Sequence, residues 1–228
     1  SNRLYEFLGQ EYINTELKKH GYNDAEILHR MGVNFTEEEN KHTNPVSFYD
    51  STGRLLYTQP GQYNPRKYPN RKDSIGKSYL SVGKIINRPL TMNDKNRISL
   101  QNLHAMVASL FFPGSVRGAE SFNITEADRL FLINLMGAEP GESIYPSYNA
   151  GNYTGYTKYI YFGGEKYSGK NIRSYNTSGT GYGQMTDAAL IKDPSKNTEF
   201  LVSATIYCNS DGVVNDDKYD YTTTGLPF

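Results

Sequence analysis

Two pairs of residues have the spacing of a known nucleophile and its base. Ser74-Ile-Gly-Lys77 and Ser81-Val-Gly-Lys84 both read Ser-x-x-Lys. In serine acyl-enzymes this spacing lets the lysine deprotonate the serine one helical turn away, so the four residues must begin a helix. Both copies lie in a glycine-containing stretch without helical periodicity. We therefore interpret them as chance matches.

A run of small and hydroxyl-bearing residues, Thr177-Ser-Gly-Thr-Gly181, is the strongest candidate for a binding strand. Glycine inside a strand usually marks a bulge or a place where another molecule approaches the backbone. Further on, Phe200–Cys208 alternates apolar and polar residues, which predicts a strand with one buried face. The intervening Asp193-Pro-Ser-Lys-Asn197 has the composition of a turn. We expect the segments on either side of this turn to pair antiparallel, with the hydroxyl-bearing run beside a cleft.

Acidic residues cluster at Glu37-Glu-Glu-Asn40. A glutamate in such a loop can position and deprotonate a water when desolvation raises its pKa. The competing interpretation is a solvated loop with adjacent acids.

Metal ligands are not grouped in the sequence. The four histidines are scattered, and the single cysteine, Cys208, falls on the apolar face of the alternating run. This predicts a small buried side chain, no metal and no cofactor.

The charge balance points away from polyanionic partners. Lys+Arg and Asp+Glu are 24 each, and the pI is about 6.9, so nothing favours nucleic acid or an anionic membrane surface. No apolar run approaches the roughly 18 residues of a membrane span. Twenty tyrosines and no tryptophan suit either half-buried strands or a surface that contacts carbohydrate or peptidoglycan.

The order of the predicted elements indicates an α+β fold, a mainly antiparallel sheet packed by helices. Helices are predicted over 2–20, over 24–31, over 99–112 and after Thr125, and strands in a 46–57 hairpin and from Tyr159 onward. We expect a single domain over 1–228 with an inserted hairpin and polar loop at about 46–88. Because the chain begins inside a predicted helix, we expect it to lack an upstream part.

The chain resembles the serine β-lactamases and penicillin-binding D,D-peptidases, specifically β-lactamase-like serine hydrolases of Bacteroidetes. Thr177-Ser178-Gly179 is similar to the Lys-[Ser/Thr]-Gly strand of that family. The segment Asn2-Arg-Leu-Tyr-Glu-Phe-Leu-Gly9 is similar to the helix after its Ser-Asp-Asn motif, and the loop ending at Asn40 to its omega loop. The likeness covers the downstream part of the family's domain.

The resemblance implies roles for individual residues. Ser178 matches the family's hydroxyl position and Gly179 its glycine, while Thr180 matches a residue whose N–H helps form the oxyanion hole. Thr177 stands where the family has lysine, so the cation that holds a substrate carboxylate is lost unless Arg173 or Lys170 replaces it. Glu38 and Glu39 both match the water-activating glutamate, because the spacing to asparagine differs.

The function implied is acyl-transfer hydrolysis of a β-lactam or a cell-wall peptide-like amide, with the nucleophile outside this chain. The expected partners are a small-molecule or peptidoglycan-derived substrate and the missing upstream half of the same domain. The expected location is the periplasm or an envelope lipoprotein. The alternatives are a catalytically silent module that binds peptidoglycan or a glycan, and a structural or assembly domain of the envelope.

Overall fold

The computed structural model describes residues 2–69, 71–116, 122–145, 147–148, 154–163 and 171–228. The fold is α+β, with several small, mainly antiparallel sheets and helices, which confirms the predicted class. The chain divides into two compact units, the first formed by Ser1–Ser74 with Thr91–Ser99 and the second by Ile75–Leu90 with Leu100–Phe228. The single domain expected from the sequence stays a prediction.

The first unit contains three short helices and a hairpin. The helices are α1 (Asn2–Leu8), α2 (Gln10–Lys19) and α3 (Glu37–Lys41), and the hairpin is β1 (Val46–Tyr49) with β2 (Leu55–Gln59). The hairpin is as predicted. The predicted 2–20 helix is instead two helices, because Gly9 has a φ of 78°, outside the helical region.

The predicted helix over 24–31 is wrong, because side chains bond the backbone of that segment. Asn14 accepts from the Ile27 N–H and donates to the Ile27 carbonyl, both at 2.8 Å. The Leu28 N–H donates to Asn96 Oδ1 at 2.7 Å. These bonds replace the i to i−4 bonds of a helix, and periodicity alone does not reveal them.

Tyr5 anchors the interior of the first unit. Its side chain is buried, and its hydroxyl donates to the Asn40 carbonyl at 2.6 Å. Burial, opposed by the nearby Arg30, raises the pKa of Tyr5 to about 12 from 10.0. The neutral phenol is therefore favoured in the folded state.

Stability should fall with rising pH because of Tyr5. The unfolded state loses the phenol proton near pH 10 and the folded state near 12, so roughly 3 kcal/mol of stability disappears across that window. The stability of Tyr5→Phe should not show this loss at high pH. Tyr49→Phe, at an exposed hairpin position, should lose stability with rising pH as wild type does. Urea unfolding followed by circular dichroism at pH 9.5 and 11.5 measures the difference. An equal fall in wild type and Tyr5→Phe would contradict the assignment.

The second unit is built on a three-stranded antiparallel sheet in the order β7–β8–β9. Its strands are β7 (Arg173–Gly181), β8 (Gln184–Asp193) and β9 (Thr198–Tyr207). A second small sheet is formed by β4 (Ser78–Ser81), β5 (Lys84–Ile86) and β10 (Val213–Val214). The two-residue strands β3 (Ser74–Ile75) and β6 (Leu90–Thr91) pair with each other and lie where the chain passes between the units.

The predicted pairing across the Asp193–Asn197 turn is confirmed, but the segment before the turn is two strands. The central strand β8 is the buried one, with Ala188–Ile191 inaccessible to solvent. The well-buried face expected on β9 is wrong, because no residue of the strand is buried: Val202, Ala204 and Ile206 are half-buried, and Phe200 is 51% exposed. Cys208, just beyond β9, is buried as predicted.

Helices cover both faces of this sheet. On one face lie α4 (Leu100–Phe111) and α5 (Glu126–Gly137), and on the other the short α6 (Tyr159–Phe162). Both α4 and α5 agree with the prediction, and Thr125 caps α5 through a reciprocal bond with Asp128. The strand predicted at Tyr159–Phe162 is wrong, because a four-residue apolar run carries no period that separates helix from strand.

Candidate functional site

Within the described residues, one edge of the β7 backbone pairs with no other strand. β7 is an outer strand, and a two-residue turn at Tyr182-Gly183, with φ values of 54° and 84°, joins it to β8. This type I′ turn makes Gly181 and Gln184 a hydrogen-bonded pair, and such pairs alternate along an antiparallel ladder. The N–H and C=O groups of Ser174, Asn176, Ser178 and Thr180 therefore point away from β8.

Space is open beside the end of this strand. Apart from its own chain neighbours, a Cβ built on Gly179 or on Gly181 would meet no atom of the described residues within 4 Å. The residues from Thr177 to Gly181 are all exposed. The location of the hydroxyl-bearing run on an accessible strand agrees with the sequence prediction.

A cavity of about 690 Å³ lies against the same strand. Its described lining comes from the end of α5, the following turn, the segment before α6, and β7: Leu135, Met136, Ala138, Glu139, Pro140, Ser143, Tyr148, Tyr156, Thr157, Lys158, Asn176, Thr177 and Ser178. This volume is in the range of small-molecule sites.

Lys158 is a buried cation at the wall of this cavity, and only 2% of its surface is exposed. Its Nζ donates to the Met136 carbonyl at 2.8 Å, to the Ser174 carbonyl at 2.7 Å and to Asn176 Oδ1 at 3.0 Å. Desolvation lowers the pKa of Lys158, although nearby carboxylates oppose the shift. Because all three ammonium protons are used, Lys158 fixes β7 against the end of α5.

Asp187 balances Lys158 through Asn176. The Asn176 amide donates to Asp187 Oδ1 at 2.8 Å, and the Ile160 N–H donates to Asp187 Oδ2 at 3.2 Å. Burial raises the pKa of Asp187, and these hydrogen bonds oppose the shift. The three side chains connect β7, β8 and the start of α6.

The hydroxyl of Ser178 is engaged in the structure. Its Oγ donates to the Thr157 carbonyl at 2.6 Å. Ser178 and its register partner Asp187 lie on one face of the sheet. Thr177 and its register partner Ala188 lie on the other face. Thr180 is exposed near the end of β7.

Arg173 shares the sheet face of Thr177, as predicted, but its guanidinium already has a carboxylate partner. Nη1 and Nη2 donate to the two oxygens of Glu142 at 2.8 and 2.6 Å. A substrate carboxylate at Arg173 must therefore compete with Glu142. Lys170, the other proposed replacement cation, lies outside the described residues.

Glu38 and Glu39 belong to the first unit, on the exposed surface of α3. A hydrogen bond from Lys41 lowers the pKa of Glu38, and hydrogen bonds from Thr36 lower that of Glu39. The condition for a water-activating base, a pKa raised by desolvation, is not met at either position. Glu39 forms a capping box with Thr36 at the start of α3.

The Ser-x-x-Lys matches lie in extended structure. Ser81 ends β4 and Lys84 begins β5, and the two residues face each other across a tight turn. Ser74 lies in β3. Neither match begins a helix, which agrees with their interpretation as chance matches.

The buried charges Lys158, Asp187 and Glu139 were missed by sequence reasoning. Two of them had a detectable signal, since Lys158 precedes the apolar run Tyr159–Phe162 and Asp187 precedes Ala188–Ile191. A charged residue that flanks an apolar run can be drawn into the core, where it must be paired. Glu139 had no comparable signal.

Within the described residues, no group of three or more His, Cys, Asp or Glu side chains is arranged to hold a metal ion. Among those same residues, no helix has the length and apolar character needed to cross a membrane. Comparison with models of protein families, with curated proteins and with solved structures found no match.

Proposed function

We propose that this chain supplies the substrate-binding strand of a serine hydrolase of the β-lactamase and D,D-peptidase type. The substrate is a β-lactam or a cell-wall peptide-like amide, and the protein acts in the periplasm or cell envelope. The observation that carries the proposal is the outer edge of β7, which pairs with no other strand among the described residues and lies beside an open cavity.

An extended amide substrate fits such an edge. It adds as a further strand, with main-chain hydrogen bonds that supply affinity. The outward N–H of Thr180 is a donor of the kind that stabilises the oxyanion formed when an acyl group is attacked. The open space at Gly179 and Gly181 lets the substrate approach the backbone without a clash.

The proposal requires a nucleophile from residues outside this chain. The geometry of Ser81 and Lys84 is that of a strand turn, so the lysine does not share a helical face with the serine. Glu38 and Glu39 are exposed on α3 and hydrogen bonds lower their pKa values, so the role of either as the base stays a prediction.

Binding to the β7 edge is tested with Nα,Nε-diacetyl-L-Lys-D-Ala-D-Ala, a cell-wall peptide analogue without a cation. In an NMR titration of the ¹⁵N-labelled chain, the peptide should shift the amides of residues 177–181. Thr180→Pro should weaken binding at least about tenfold, because it removes an outward N–H at a position where an edge strand accepts proline.

Thr180→Val is the matched control, because it retains the N–H and removes only the hydroxyl. It should bind the peptide as wild type does. Equal binding by Thr180→Pro, or shifts confined to other parts of the chain, would contradict the proposed site.

A second candidate is a catalytically silent module that binds peptidoglycan or a glycan. It is favoured by the low pKa values of Glu38 and Glu39 and by the engagement of the Ser178 hydroxyl with the Thr157 carbonyl. Both candidates require binding at β7, and only the first requires acylation by the complete hydrolase.

The chain alone should be inactive towards a chromogenic β-lactam. Mass spectrometry after incubation with benzylpenicillin should show the unmodified mass, because no Ser-x-x-Lys match begins a helix. A penicilloyl adduct on Ser74 or Ser81 would contradict this expectation and would identify a nucleophile within the chain.

A further inference from the structure

Glu139 is a buried carboxylate to which no described residue donates a hydrogen bond. Only 5% of its surface is exposed, and neither Oε1 nor Oε2 has a hydrogen-bond partner among the described residues. Its backbone N–H is satisfied by Glu142 Oε2 at 2.9 Å, so the unmet groups are the carboxylate oxygens alone. Buried charges in proteins are normally paired, because an unpaired one is costly.

The two neighbouring cations direct their hydrogen bonds to other acceptors. Arg173 donates hydrogen bonds to both oxygens of Glu142, and its Nη1 forms only a long ion pair with Glu139 Oε1, at 4.0 Å. Lys158 uses its three protons on Met136, Ser174 and Asn176. Neither cation gives the Glu139 carboxylate a hydrogen bond.

Glu139 also lines the cavity of about 690 Å³, together with Tyr148 and Tyr156. A cavity lined by both a carboxylate and aromatic rings suits a cationic nitrogen, because the ring faces attract positive charge and the carboxylate accepts charge-assisted hydrogen bonds. The volume of the cavity is large enough for an amino-acid side chain together with the backbone groups attached to it.

We propose that Glu139 anchors the ammonium or guanidinium group of a ligand that enters this cavity. A cation satisfies both the hydrogen-bonding capacity and the charge of the buried carboxylate, whereas a neutral sugar hydroxyl satisfies only the first. The inference concerns binding alone, so it does not require acyl transfer or the β7 edge to bind a peptide.

The test compares two probes that differ only in charge. Nα-acetyl-L-lysine amide carries an ammonium group, and Nα-acetyl-L-norleucine amide has a matching aliphatic chain without it. In NMR titrations of the wild-type chain, the lysine probe should bind at least about tenfold more tightly. It should shift the amides of Glu139, Tyr148 and Tyr156. This comparison needs no variant, so it decides the question even where a substitution prevents folding.

Variants then assign the effect to one carboxylate. Glu139→Gln should remove the preference for the lysine probe. Glu126→Gln is the matched control, because it changes the net charge equally, and its carboxylate lies on exposed α5 surface paired with Arg129. It should bind as wild type does.

Equal binding of the two probes, or no binding of either, would overturn the proposal. So would a Glu139→Gln variant that keeps the full preference for the lysine probe. A Glu139-dependent affinity for N-acetylglucosamine that exceeds the affinity for the lysine probe would also overturn it. Loss of peptide binding in Thr180→Pro bears on the β7 edge alone, because the diacetylated peptide has no cation.

Discussion

Replacing Lys158 with methionine should lower the free energy of unfolding of the second unit by about 3–5 kcal/mol. The variant keeps the aliphatic length but leaves the Met136 and Ser174 carbonyls and Asn176 Oδ1 without their donor. It also leaves Asp187 buried without a nearby ammonium group. Hydrogen exchange of the amides of Ala188–Leu190, at the centre of β8, measures the local free energy even when the two units unfold separately.

Lys192→Met is the matched control for this experiment. Lys192 lies on the same strand as Asp187, and its Nζ forms an exposed ion pair with Glu199 at 2.9 Å. Its replacement should cost less than about 1 kcal/mol. A similar, small effect for Lys158→Met would contradict the structural role assigned to Lys158.

The deficit of Lys158→Met should shrink in acid. Burial already raises the pKa of Asp187 in the folded state, and loss of the lysine charge raises it further. The folded variant therefore binds a proton on Asp187 more readily than the unfolded chain does, so the deficit decreases as pH falls through this raised pKa. In a Lys158→Met, Asp187→Asn double variant this pH dependence should disappear.

Replacing Thr177 with lysine should strengthen binding of a carboxylate-bearing ligand by about 10- to 100-fold, because a well-formed charge-assisted hydrogen bond contributes about 1.5–3 kcal/mol. Thr177 is exposed on β7 and lines the cavity, so a longer side chain has room. The measurement compares diacetyl-Lys-D-Ala-D-Ala with its C-terminal amide, and only the free acid should gain affinity. Thr177→Met controls for the added length.

Arg173→Ala separates the two possible sources of the cation. Where Arg173 holds the ligand carboxylate despite its pairing with Glu142, its removal should weaken binding of the free acid in the chain that retains Thr177. No gain in Thr177→Lys together with no loss in Arg173→Ala would exclude a carboxylate site here. The silent binding module would then be the better account.

The sequence by itself determined the parts of the structure that depend on local chemistry. Thr125 and Asp128 predicted the start of α5, because a capping box is complete within four residues. The turn at Asp193–Asn197 and the hairpin of β1 and β2 were also predicted, since their reversals use residues that favour turns. The exposed strand of Thr177–Thr180 followed from its glycine and hydroxyl composition.

The tertiary structure alone decided which groups are buried and what they contact. Residues 24–31 have an apolar pattern compatible with a helix, but Asn14 and Asn96 bond their backbone from distant positions. The outward N–H of Thr180 follows from the register of β7 on β8. The network of Lys158, Asn176 and Asp187 depends on residues that meet only after folding, as does the Glu139 carboxylate, which has no hydrogen-bond donor among the described residues. Charge burial is a property of the assembled fold, because solvent is excluded by neighbours that lie far away in the sequence.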